Sequence, residues 1–183
     1  MRNFLRIAAG IEVLPLMLDL YRQSELWDAH RARTDGPGSF VGTSDIWVRF
    51  RDPAELTRPE SYAEPHVPVW YPAWHALPHL RPIVFGLMAR CEAVQLGGVL
   101  ITRVPPGQQV APHDDRGRWH PTFFTTKAYV PLATNPQCYS TCGDERVVME
   151  CGSAWLFNNL LTHSTVNDGD TDRITLIVSM RVE

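Results

Sequence analysis

The chain has 183 residues, enough for one core of useful size and too few to make a split into two domains the expectation. Its 17 basic and 20 acidic side chains give a formal charge of −3, which argues against the broad basic surface of a nucleic-acid binder. Fifteen prolines suit a turn-rich β fold better than a helical bundle, and no apolar run approaches the roughly 20 residues that span a bilayer.

The first twenty residues carry Arg2 and Arg6 but are broken by Glu12 and Asp19, so no signal-peptide core is read there and the expected location is cytoplasmic. From Ile11 to Trp27, the apolar residues Ile11, Leu14, Leu18 and Tyr21 follow helical spacing. A glycine-rich loop, Thr34 to Gly42, precedes the alternating strand Asp45 to Phe50. Residues Arg51 to Trp74 read as a long ordered loop that ends in the aromatic cluster Trp70, Tyr71, Trp74 and His75. Helical spacing returns from Ala76 to Glu92 (Leu80, Val84, Leu87, Met88, Cys91), and both helices are expected to brace one face of a barrel. The segment Ala93 to Val104 is β-branched and apolar like a buried strand, and Pro105-Pro106-Gly107 then marks a turn. A strand over Thr125 to Leu132 carries Lys127 and Tyr129. Gly152 turns into a short strand that ends at the polar corner Asn158-Asn159, and Arg173 opens a strong closing strand to Met180.

Chemistry concentrates in the last third. His113 and Asp115 stand two apart, so an extended backbone points both to one side. His163 lies beyond the polar corner, and Arg173 follows it by ten residues. Two histidines and a carboxylate can hold one face of Fe(II) and leave the opposite positions open. An arginine nearby could clamp the far carboxylate of a 2-oxo acid. The H-x-D triplet is weak by itself, since shuffling this composition yields about one such triplet, so strand context must carry it. Each residue has a plainer reading. His113 could be a loop histidine, His163 a core histidine, and Arg173 a partner of Asp170 or Asp172. Lys127, on an otherwise apolar strand, requires an anion, which could be a co-substrate carboxylate or else Asp144 or Glu145. Asp114 reads as solvated.

The turn Pro105-Pro106-Gly107, the run Pro112-His113-x-Asp115, Gly152 to Asn158, then His163, Asn167 and Arg173-Ile174 resemble the aspartyl/asparaginyl β-hydroxylase family. The resemblance is best from about Leu96 to Arg181. It implies a mainly β fold with flanking helices, the double-stranded β-helix or cupin-like jelly roll. It also implies a dioxygenase that uses Fe(II), 2-oxoglutarate and O2. On that resemblance His113, Asp115 and His163 match the iron ligands and Arg173 the residue pairing with the 2-oxoglutarate C5 carboxylate. Lys127 and Tyr129 occupy the positions near the co-substrate's other end. The expected organisation is a single domain over 1–183, with 1–93 as a helical and loop support region and 94–183 as the jelly-roll core.

Substrate residues are less legible. Arg116, Arg118, Trp119 and His120 follow the H-x-D loop and are expected at the mouth of the site, and the aromatic cluster with Trp74 is expected either to cover the site or to cap the core. Basic groups there suit a carboxylate. The family implies hydroxylation of an Asp or Asn residue in a peptide or protein; a free amino acid or small metabolite is the alternative. A non-catalytic cupin-like metal-binding or sensor module is a further reading, disfavoured because a metal sensor has no need of a carboxylate clamp. A nucleic-acid demethylase would need a richer basic and aromatic groove. Cys138, Cys142 and Cys151 fit zinc-knuckle spacings poorly and are expected to be reduced thiols.

Overall fold

A computed structural model describes residues 3–36, 38–56, 58, 66–116 and 124–183. In chain order the elements are β1 (Phe4–Ala8), α1 (Leu14–Arg22), β2 (Ser44–Phe50), β3 (Val69–Trp70), α2 (Ala73–Ala76), α3 (Leu80–Arg90) and β4 (Gln95–Val104). They continue with β5 (Gln109–His113), β6 (Thr126–Ala133), β7 (Cys138–Cys142), β8 (Glu145–Val147), β9 (Ala154–Phe157), β10 (His163–Asn167) and β11 (Arg173–Arg181).

The strands form two antiparallel sheets that face each other, a jelly roll. The larger runs β1-β9-β6-β11-β4-β2-β3 and the smaller β5-β10-β7-β8. Period-two alternation assigns each side chain of the larger sheet to one of two cores. Ile46, Val48, Val99, Ile101, Ala128, Val130, Leu176 and Val178 point outward and join Leu16 and Leu20 of α1 with Leu80, Val84 and Leu87 of α3. Their neighbours in sequence, Trp47, Leu100, Tyr129 and Ile177, point inward and pack with Phe157 and Met149 between the sheets.

Both helices therefore brace the outer face of the large sheet. The spacing of Leu80, Ile83, Val84 and Leu87 puts one stripe of α3 against it. Pro82 is tolerated in the first turn, where the amide has no helical acceptor. Residues 1–93 do more than support the barrel, however, because β1, β2 and β3 are three of the seven strands in the larger sheet. The long loop before Trp74 likewise contains β3 and ends in α2. No helix among the described residues is long and apolar enough to cross a membrane.

Candidate metal centre

Strands β5 and β10 pair antiparallel with His113 directly opposite His163, and the two rings lie 4.3 Å apart between centroids. The chain leaves β5 at His113, and Asp115 is caught just beyond by Asn159, at the corner after β9. The Asp115 amide donates to the Asn159 carbonyl (2.9 Å), and Asn159 Nδ2 donates to Asp115 Oδ2 (2.8 Å). One ligand atom from each of His113, Asp115 and His163 falls within 4.8 Å of the others, the one such group of three among the described residues.

Both imidazoles are oriented by backbone carbonyls two residues earlier: His113 Nδ1 bonds Ala111 O at 2.8 Å, and His163 Nδ1 bonds Leu161 O at 2.9 Å. A carbonyl can only accept, so each Nδ1 carries the proton and each Nε2 keeps its lone pair. His163 Nε2 is buried and has no hydrogen-bond partner. Burial depresses the pKa of both rings, that of His163 to about 4 with His113 adding to the effect. Burial would raise the Asp115 carboxyl, but the Lys127 ammonium, with smaller help from His163 and Asn159, holds it well below the carboxylate range. Two neutral imidazoles, one ionised carboxylate and an orphaned nitrogen aimed at the gap are a donor set that fits a divalent first-row metal.

Arg173 opens β11 and faces the same interior, only 2 % exposed. Its guanidinium donates to Ser140 Oγ (3.0 Å) on β7 and to Met149 Sδ (3.6 Å), and its Nε has no partner. No described ion pair joins Arg173 to a carboxylate, and Asp170 and Asp172 do not reach it. Burial lowers its pKa, the sign of a cation enclosed without an anion. Asn167 braces the turn that leads into β11. That fully buried amide donates to Val104 O and Thr171 O at 2.8 Å each and accepts from Asn135, Cys138 and the Gly169 amide, tying the β10–β11 turn to β4.

Lys127 and Tyr129 also face inward, two residues apart on β6. The Lys127 ammonium pairs with Asp115 Oδ2, whereas Glu145 and Asp144, the other anions expected for it, accept hydrogen bonds from Asn3. Tyr129 packs on Phe157 with centroids 4.6 Å apart, and burial followed by the Asp115 charge raises its pKa, so the hydroxyl keeps its proton.

Arg116 stands at the rim, exposed, with Nε donating to Leu160 O at 2.8 Å. Arg118, Trp119 and His120 lie outside the described residues. Trp74 is a correction. It packs with the outer helical core, 4.2 Å from Trp70 and 5.8 Å from Phe85 between centroids and near Arg81, on the far side of the sheet from His113. Cys138, Cys142 and Cys151 are free thiols that bond Asn167, Asn158 O and Leu132 O respectively.

A family model described as aspartyl/asparaginyl beta-hydroxylase matches residues 72–182. The chain belongs to the aspartyl/asparaginyl β-hydroxylase family. This hydroxylase is accordingly an Fe(II)- and 2-oxoglutarate-dependent dioxygenase that consumes O2. Solved structures share the fold at low identity. A viral collagen prolyl hydroxylase from Paramecium bursaria Chlorella virus-1, in a 2-oxoglutarate complex, aligns at TM-score 0.60 and 8% identity, covering 100% of this chain and 97% of its own. A prolyl hydroxylase from Trichoplax adhaerens, bound to a peptide of the hypoxia-inducible factor oxygen degradation domain, gives 0.62 and 12%, covering 97% and 83%. A 2-oxoglutarate-Fe(II) oxygenase family oxidoreductase from Burkholderia pseudomallei gives 0.58 and 10%, covering 88% and 77%. No curated protein sequence matches the chain.

The sequence reading missed several groups around the hydroxylase's centre: Asn159, Ser140, Met149, and the Arg33–Asp45 pair with Phe40. Asp45 left a trace, because it shares a strand face with the buried Trp47, and a carboxylate on a buried face demands a partner.

Proposed function

We propose that this protein hydroxylates an unactivated C–H bond of an aspartyl- or asparaginyl-like residue in a peptide or protein. His113, Asp115 and His163 would hold Fe(II), and Arg173 would receive the distal carboxylate of 2-oxoglutarate. The observation that carries the reading is the pairing of two incomplete groups in one interior. The orphaned His163 Nε2 needs an electrophile, and the buried Arg173 needs an anion. A metal sensor would have no use for the second, which argues against a non-catalytic module. The peptide-bound prolyl hydroxylase of the same fold supports a peptide substrate only at the level of architecture.

When bound, Fe(II), O2 and 2-oxoglutarate together supply the oxidant, with succinate and CO2 as co-products. The chain contributes placement. The carbonyls of Ala111 and Leu161 fix both imidazole tautomers before metal arrives. Lys127 and Asn159 keep Asp115 ionised and turned toward the histidines. Ser140 holds the Arg173 fork, and the protonated Tyr129 hydroxyl is a hydrogen-bond donor for the co-substrate's near end. Phe157 lies 4.9 Å from the His163 ring and, with Tyr129 and Ile177, keeps the wall dry.

The test is an anaerobic titration of metal-free protein with Fe(II) and then 2-oxoglutarate, watching for the visible charge-transfer band of a chelated 2-oxo acid. The band is expected in wild type and absent in His163→Ala. Arg173→Ala should bind iron normally and need at least about tenfold more 2-oxoglutarate, as expected for a lost charge-assisted bidentate pair. Bound iron without any band would refute the reading.

A further inference from the structure

The connection between α1 and β2 brings a second buried arginine to the mouth of the barrel. Asp28 N donates to Asp45 O (2.9 Å), Asp45 N to Asp28 Oδ1 (3.2 Å), and Ala111 N on β5 to Ser39 O (2.7 Å). These bonds pin the segment to both sheets. They set Phe40 edge-on to the ligand-bearing strand, 5.3 Å from the His113 ring between centroids. The Arg33 guanidinium lies flat on Phe40 at 3.6 Å, and Arg33 is 5 % exposed.

Arg33 is not fully spent there. Its Nη1 donates to Asp45 Oδ2, while Asp45 Oδ1 accepts from Thr102 Oγ1 at 2.6 Å. Arg–carboxylate pairs are frequently bidentate, with both oxygens held in a fork. Here one oxygen is diverted to Thr102, and among the described residues only Asp45 accepts a hydrogen bond from Arg33. One edge of a planar, stacked, immobilised guanidinium is left with donors to give. The position is also suited to a small anion. Asp45, Thr102 and Thr175 are register partners across β2, β4 and β11, a polar row on the inward face that carries Arg173 two residues away.

We propose that Arg33 is a second carboxylate-recognition residue of this centre, opposite in role to a mere strut for its loop. The assignment rests on the oxygenase reading above and deepens it. The carboxylate belongs either to the substrate, as an acidic side chain or α-carboxylate, or to the co-substrate's metal-proximal end. Arg33 lies outside the span 72–182 matched by the family model, so this contact would be a feature that this chain adds to the shared site.

Arg33→Lys is the informative variant, because lysine keeps the charge that Asp45 needs but loses the planar fork. Two dissociation constants are measured anaerobically on the Fe(II) protein: 2-oxoglutarate from the visible band, then N-acetyl-L-aspartate by calorimetry on the 2-oxoglutarate complex. The neutral N-acetyl-L-asparaginamide serves as control, and Tm reports the fold. The expected result is an unchanged Tm with one constant at least about tenfold weaker in the variant. If the N-acetyl-L-aspartate constant weakens, the carboxylate is the substrate's; if the 2-oxoglutarate constant weakens, it is the co-substrate's. Both constants unchanged, or a wild-type protein that binds neither the aspartate probe nor more 2-oxoglutarate than Arg33→Lys, overturns the proposal. Should Arg33→Lys lower Tm, Arg33→Gln in an Asp45→Asn background removes the charge pair and must show the same selective loss. Failure of the oxygenase reading looks different, as an absent band in wild type.

Discussion

Replacing Lys127 with Met separates the charge on Asp115 from the rest of the site. The two side chains are 15% and 18% exposed, so screening is weak and the pair counts as largely buried. Removing one partner of such a pair leaves an uncompensated carboxylate, at a cost of about 3 kcal/mol at the low end of the usual range. Met preserves most of the aliphatic stem, which keeps the packing change small. For a chain of this length each kcal/mol moves Tm by about 2–4 °C, so metal-free Lys127→Met should melt roughly 6–12 °C below wild type. A divalent ion beside Asp115 supplies the missing positive charge. The deficit should therefore shrink to within about 1 kcal/mol when both proteins are saturated with Fe(II) or Mn(II). Calorimetric melting of chelator-treated and metal-loaded samples measures both gaps. Equal deficits with and without metal would refute the idea that Lys127 stands in for a cation at this carboxylate.

Three further outcomes follow from the same geometry. The His163 pKa is depressed from 6.5 to about 4, so between those values the unfolded chain binds more protons, and metal-free stability should rise with pH from 4 to 6.5. Denaturant melts across that range test the sign, and a flat profile contradicts the buried neutral imidazole. Gly152 sits at φ +70°, where an added Cβ would lie 2.6 Å from Ile11 O, so Gly152→Ala should lose at least about 2 kcal/mol of stability in denaturant melts, from strain and backbone clash together. Cys138→Ser and Cys142→Ser should leave metal content at one ion per chain by elemental analysis; loss of stoichiometric zinc in either would show that the thiols ligate.

What could be read from sequence depended on range. Strands β4 and β11 announced themselves through unbroken β-branched runs, and α3 through Leu80, Val84 and Leu87, because these patterns are local and repeat with the element's own period. His113, Asp115, His163 and Arg173 were picked out as a set by their strand context, and the fold brings them to one interior. Trp74 misled, since an aromatic cluster in a proline-rich stretch looks the same whether it covers a site or caps an outer core. The ion-pair partners of Arg33 and Lys127 were opaque for a related reason. Asp45 and Asp115 are 12 residues away in sequence in each case, beyond the reach of any strand or helix period. Strand β1 left no usable pattern, being five residues with only Phe4 fully buried.

That first strand bears on where a shortened version of this protein could be cut. The family match starts at residue 72, yet β1 closes the edge of β9, and β2 closes the edge of β4. Trimming to the matched span would uncover the edges of β9 and β4, a short and a long row of unpaired backbone donors and acceptors, the long one beside the apolar Val99 and Ile101. Such rows are templates for pairing with another molecule. An excised fragment would retain His113, Asp115, His163 and Arg173 and still be expected to come out of the cell as inclusion bodies.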